Sequence, residues 1–183
     1  MGINEIKIVI GSWGSYNACN ERALGSQWLN LSEFNNWEEI EEELVKQGFD
    51  LNGIDEELFI QDIDGLDCTG LRCDYTHPKR LFETLYESNV LNDIHSFEVL
   101  EAFLEVRNYE EFEDLVDSHG SHWNDDIYLY KGFDWSDYGK EIFDCMCYKL
   151  PDSLEDFIDF EAYGKYVGFD AEEYSNGIIE IRS

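Results

Sequence analysis

Metal-binding and proton-moving side chains are plentiful in this sequence, and their spacing decides which chemistry is open to them. Cys68 and Cys73 form a Cys-x4-Cys pair, with His77 shortly after. Cys145 and Cys147 are separated by one residue, and His119 and His122 by two. Structural zinc sites are built from thiolate and imidazole at paired short spacings. Only the first pair comes near that pattern, so the thiols read as buried or idle. Asp62-Ile63-Asp64-Gly65 resembles the start of a calcium loop. That loop needs glycine at its sixth position and glutamate at its twelfth. Counted from Asp62, the glycine falls at position 4 and Cys73 at position 12, so an acidic turn after a strand is the plainer reading. The chain has neither a Gly-x-Ser-x-Gly elbow nor a glycine-rich phosphate cradle. With 42 acids, close carboxylate pairs carry no information about glycoside cleavage.

The carboxylates do form rows. Glu38, Glu41 and Glu42 share one helical face, as do Glu98, Glu101 and Glu105. Glu110, Glu113, Asp114 and Asp117 make a third row. Neighbours at these spacings repel by about 0.2–0.5 kcal/mol per pair. Acids in a first helical turn are offset by the helix dipole, which covers Glu38 and Glu110. Glu105 and Asp117 fall near predicted helix C-termini, with no Lys or Arg four residues earlier. These rows therefore read as uncompensated.

Composition agrees. The 183 residues carry 42 Asp plus Glu against 12 Lys plus Arg, a formal charge of −30. Residues 1–61, 62–120 and 121–183 contribute −9, −11 and −10. No acidic tail accounts for this; the whole surface is acidic. Solubility asks for a net charge of only about 2–8 in magnitude, and the rest destabilises the compact state. Hydrophobic content of 43% and aromatic content of 15% exclude disorder. Duplex DNA carries one charge per roughly 1.7 Å, so thirty charges match about 50 Å of duplex, and a dimer about 100 Å. An odd count of five cysteines and no secretory or membrane signal point to the cytoplasm.

The elements that must position these residues alternate in type. Strands are predicted over 6–10, 26–31 and 57–63, with a long loop from Gly11 to Gly25. Asn36 caps a helix whose core face is Trp37, Ile40, Leu44 and Val45; Glu39 has capping-box spacing and Gly48 ends the helix. Helices follow over 79–88, 94–106 and 109–117, the last capped by Asn108. A strand over 127–131 precedes a helix over 137–148 capped by Ser136. Pro151 opens a helix over 152–163, which Tyr163-Gly164 ends. Its faces are apolar (Leu154, Phe157, Ile158, Ala162) and acidic (Asp152, Glu155, Asp156, Asp159). A strand closes the chain from Gly177 to Arg182. This order predicts an α+β chain of about three small subdomains, elongated in shape. They are an N-terminal sheet with one helix (1–66), a central helical domain (67–107) and a C-terminal α+β domain (108–183).

Three stretches resemble the ArdA-type antirestriction proteins. One runs from the opening strand through Tyr16-Asn17, Leu24-Gly25 and Trp28. Another is Glu57 to Gly65, Glu-Leu-Phe-Ile-Gln-Asp-Ile-Asp-Gly. The most specific is Leu150 to Lys165, Leu-Pro-Asp-Ser-Leu-Glu-Asp-Phe-Ile-Asp-Phe-Glu-Ala-Tyr-Gly-Lys, which looks like the family's antirestriction motif. Gln61, Phe160, Lys165 and Tyr166 depart from the family pattern, and Asp67 to Ser121 matches poorly.

The resemblance implies an elongated homodimer that mimics bent DNA. It implies that the protein fills the DNA groove of type I restriction–modification enzymes and protects incoming mobile DNA. It implies no cofactor, no catalysis, and no partnership with nucleic acid or membrane. The phosphate-like carboxylates would be Glu38, Glu41, Glu42, Asp62, Asp64, Glu98, Glu101, Glu105, Glu110, Glu113, Asp114, Asp117, Asp152, Asp156 and Asp159. The motif and dimer contact would be Leu150, Pro151, Leu154, Phe157, Ile158, Phe160, Ala162, Tyr163 and Gly164. Two rival readings exist: an acidic immunity protein for a basic toxin nuclease, and a metal-dependent hydrolase built on Asp62, Asp64 and Asp67.

Overall fold

The computed structural model describes residues 5–67, 70–146 and 157–182. The chain divides into two compact units, residues 1–123 and 124–183. Together they carry helices and two small antiparallel sheets, an α+β fold.

In the first unit, β1 (Lys7–Ser12) is the central strand, between β2 (Leu29–Asn30) and β3 (Leu58–Asp64). The β-branched run gives β1 its conformation and buries Ile6, Ile8 and Ile10 completely. Its pairing with β3 starts at Lys7 opposite Asp64 and slips at a bulge between Val9 and Ile10.

The predicted loop after β1 instead opens with a helix, α1 (Trp13–Ala18), capped by Ser12. Gly, Ser and Asn make it look like a loop in sequence. Packing holds it: the Trp13 ring stacks on Phe59 at 4.2 Å, and the Trp13 amide donates to the Glu57 carbonyl at 3.0 Å. Buried Asp55 ties the same region together. Its carboxylate accepts from the Ser15 hydroxyl, and from the Asp50 amide at 2.9 Å. Burial pushes this carboxyl up. The Ser15 hydroxyl, the Asp50 amide, the Ser12 hydroxyl and the Arg22 charge outweigh that and hold it below the usual range.

α2 (Trp37–Lys46) starts where the cap predicts, with Asn36 Oδ1 accepting from the Glu39 amide at 3.0 Å. Glu39 reaches back to the Asn35 amide at 2.9 Å, one residue earlier than a capping box requires. Trp37, Ile40 and Leu44 are buried as expected, but Val45 is 55% exposed. Val45 falls on the side of the helix that carries the glutamates. Gly48, at φ +89°, turns the chain, and Arg22 Nη1 donates to the Gln47 carbonyl at 2.9 Å.

α3 (Pro78–Glu87), α4 (Ile94–Val106) and α5 (Tyr109–His119) follow the sequence periodicity closely. Leu81, Phe82 and Leu85 of α3, and Leu100, Phe103 and Leu104 of α4, are all buried. Phe112 and Val116 of α5 join the core, and the Trp123 indole donates to the Ser88 carbonyl at 3.0 Å.

The second unit has the sheet order β4-β6-β5, built from β4 (Ile127–Lys131), β5 (Ala171–Tyr174) and β6 (Gly177–Ile181). α6 (Trp135–Cys145) is capped by Asp134, not Ser136, so it begins two residues earlier than predicted. Asp134 accepts from the Ser136 and Asp137 amides, and Asp137 completes the capping box. Residues 147–148 of that prediction lie outside the described residues.

The helix predicted over 152–163 is corrected from residue 157 on, and its residues 152–156 lie outside the described residues. Residues 157–159 are not helical, and α7 spans Phe160–Val167. The Asp159 side chain takes the Ala162 amide at 3.0 Å, which makes Asp159 a cap and not an interior residue. Tyr163-Gly164 does not end the helix. Gly164 is buried in its middle against Gly139 of α6, where a Cβ would lie 3.0 Å from the Gly139 nitrogen.

Candidate partner-binding surface

The Glu38, Glu41 and Glu42 row stands on α2 beside Val45, Lys46, Leu51 and Asn52, along a shallow cleft. Glu41 accepts from the Trp37 indole at 2.8 Å, which fixes its direction. Lys46 lines the same cleft and pairs with Glu43 at 3.4 Å. Asp62 and Asp64 are exposed near the end of β3. Asp64 shares a cleft with Lys7, half-exposed Trp28, Asn30 and Glu33. Lys7 binds Glu5 at 2.7 Å and holds that carboxyl below its usual range.

The α4 row behaves differently. The Glu101 carboxyl is pushed up by burial, then by the charges of Glu98 and Glu105. Like charges three and four residues apart on one helix resist sharing their ionised state.

On α5, Glu110 and Asp114 are exposed, but the reading of the row as uncompensated is corrected. Arg80 of α3 donates to Glu113 at 2.8 Å and to both Asp117 oxygens at 2.6 Å. Asp117 foremost, then Glu113, hold the guanidinium proton more tightly than usual. Spacing along α5 does not reveal this pair, because Arg80 belongs to another helix.

In the second unit, Asp159 is exposed but already accepts the Ala162 amide. Phe157 is 84% exposed, and Tyr166 and Phe169 are also exposed, their ring centroids 6.4 Å apart. Ile158, Phe160 and Tyr163 are part-buried, Ala162 is exposed and Gly164 is buried. Phe160 and Tyr163 both pack edge-on against Phe143. Leu150, Pro151, Asp152, Leu154 and Asp156 lie outside the described residues.

One acid that drew no attention in the sequence is the best-organised carboxylate of this unit. Glu180 of β6 is buried, and its Oε2 accepts from the Tyr130 and Tyr138 hydroxyls at 3.0 and 3.2 Å. Its Oε1 accepts from Arg182 Nε at 2.7 Å. Burial and the Glu180 charge push the Tyr130 phenol up to about 12. An acid inside the closing β run is the one local signal for this site.

Among the described residues, no group of three or more His, Cys, Asp or Glu side chains could hold a metal ion. No helix among them is long and apolar enough to cross a membrane. The described carboxylates thus stand exposed on several elements. Residues 8–180 match the family model described as antirestriction protein (ArdA). No curated protein matches the chain.

Proposed function

The chain belongs to the ArdA antirestriction family, and on that premise we propose that it blocks type I restriction–modification enzymes as a DNA mimic. Family membership makes it an antirestriction protein, with restriction–modification enzymes as the targets that the family implies. The finer reading is that exposed carboxylates occupy positions where such an enzyme would hold DNA phosphates. The observation that carries it is the placement of acid on exposed faces of α2, α4, α5 and β3 in a chain of net charge −30. Glu38, Glu42, Asp62, Asp64, Glu101, Glu105, Glu110, Asp114, Asp117 and Asp159 are the described exposed members. Glu113 and Asp117 contribute less, because Arg80 already neutralises part of their charge. The segment around Phe157 and α7 then lies near the contact between two copies, and the protein catalyses nothing itself.

The test is competition. A type I enzyme is mixed with its duplex and increasing amounts of this protein, and DNA binding and cleavage are followed. Displacement at low salt that weakens sharply between about 50 and 200 mM is the expected result. DNA cleavage that persists at large excess and low salt overturns the reading.

A further inference from the structure

Between the end of β3 and α4 the first unit has a groove of about 310 Å³. Leu66, Phe97 and Leu104 give it an apolar floor, and Glu5, Asp67, Glu101 and Glu105 an acidic rim. Glu5 is already engaged by Lys7. Glu101 is the rim member whose carboxyl is raised, by partial desolvation first and then by the charges of Glu98 and Glu105. No group of three carboxylate, thiol or imidazole side chains among the described residues could hold a metal ion. An apolar floor beneath a carboxylate rim suits a flat, delocalised cation carried on an apolar stem.

We infer that the groove takes an arginine side chain of a basic protein partner, its stem on Phe97 and Leu104 and its guanidinium among the rim carboxylates. A guanidinium is planar, weakly hydrated and able to stack on aromatic rings, whereas an ammonium is compact and strongly hydrated. The arginine stem covers apolar surface while its head stays with charge. A phosphate backbone offers the charge without the floor, so at this place the protein grips better than the polyanion it imitates. The inference rests on the reading of the acidic surface as the face that meets a basic partner.

Tetra-arginine and tetra-lysine peptides are titrated separately into isotope-labelled full-length protein while amide resonances are followed. Saturable shifts centred on Phe97, Glu101 and Leu104, stronger with tetra-arginine, are expected. Glu101→Gln is the informative variant. It raises the melting midpoint at low salt, because a repulsion is relieved, yet weakens tetra-arginine binding by about tenfold, as loss of one charge-assisted hydrogen bond does. Shifts spread evenly over α2, α4 and α5, equal response to tetra-lysine, or unchanged affinity in Glu101→Gln each overturn the inference. A protein that binds tetra-arginine here but leaves a type I enzyme active keeps this inference and sinks the proposed function. One that inhibits the enzyme with no groove response does the reverse.

Discussion

Gly139 of α6 and Gly164 of α7 meet backbone to backbone. A methyl group on Gly139 would lie 2.8 Å from the Gly164 nitrogen and closer still to the Phe160 carbonyl; one on Gly164 would press on the Trp135 carbonyl. The two helices pack as closely as they do because neither carries a side chain at the crossing.

Gly164→Ala is therefore expected to destabilise the second unit, by about 1–3 kcal/mol for overpacking. Helix propensity alone predicts the opposite sign, since alanine is favoured over glycine by about 1 kcal/mol in a helix interior. Denaturant unfolding followed by Trp135 fluorescence decides between them. A midpoint at or above that of the parent protein would show that the crossing is not tight.

Glu180→Ala leaves the Tyr130 and Tyr138 hydroxyls without their acceptor. The buried Tyr138 hydroxyl so orphaned costs about 1–3 kcal/mol, and the part-buried Tyr130 hydroxyl costs less. Glu180→Gln keeps an acceptor and costs less. It also removes one of the two main causes of the high Tyr130 value, so that phenol titrates below about 12 in an ultraviolet titration. Unchanged tyrosine titration in Glu180→Gln would refute the contact.

Arg80→Ala removes the clamp between α3 and α5 and leaves Glu113 and Asp117 to repel. Both pairs are partly exposed, so the expected loss is about 1 kcal/mol, and less at high salt. The same change frees two carboxylates. On the proposed function, inhibition of a restriction–modification enzyme is retained or strengthened while thermal stability falls. Parallel loss of both would mean that the clamp itself is the binding feature.

His77 caps α3 through Nδ1, which accepts from the Lys79 amide at 3.1 Å and so must be unprotonated. Burial, then the Lys79 charge, push its pKa below the ordinary 6.5, against the opposing charges of Glu41 and Glu83. The unfolded chain thus takes up this proton first as pH falls. The contribution is full above about pH 6.5 and is lost as pH falls through that value towards the lower folded pKa. His77→Asn keeps a capping acceptor without titrating. Its melting midpoint should depend less on pH than that of the parent protein over about pH 5–7; identical slopes would argue against the cap.

Much of the fold was legible in the residues. α4 appears at the predicted bounds, and α3 and α5 within two residues, because apolar periodicity and the Asn108 cap are local signals. α1 was not legible, since Gly14 and Ser15 are turn formers held helical by packing against Phe59 and the Ile54–Asp55 segment. Val45 was misplaced because a helix face near its end meets no partner that the pattern reveals. Gly164 read as a terminator because glycine ends helices more often than it crosses them.

The sequence by itself determined the charge, its even spread and the acidic rows, because composition and i, i+4 spacing are properties of the chain alone. Tertiary structure decided what each carboxylate does. Arg80 reaches Glu113 and Asp117 from 33 and 37 residues away, and Glu180 is gathered by Tyr130, Tyr138 and Arg182. The acid rim of the β3–α4 groove assembles from residues as far apart as Glu5 and Glu105. Coulomb energy depends on distance in space, and folding sets those distances without regard to separation along the chain.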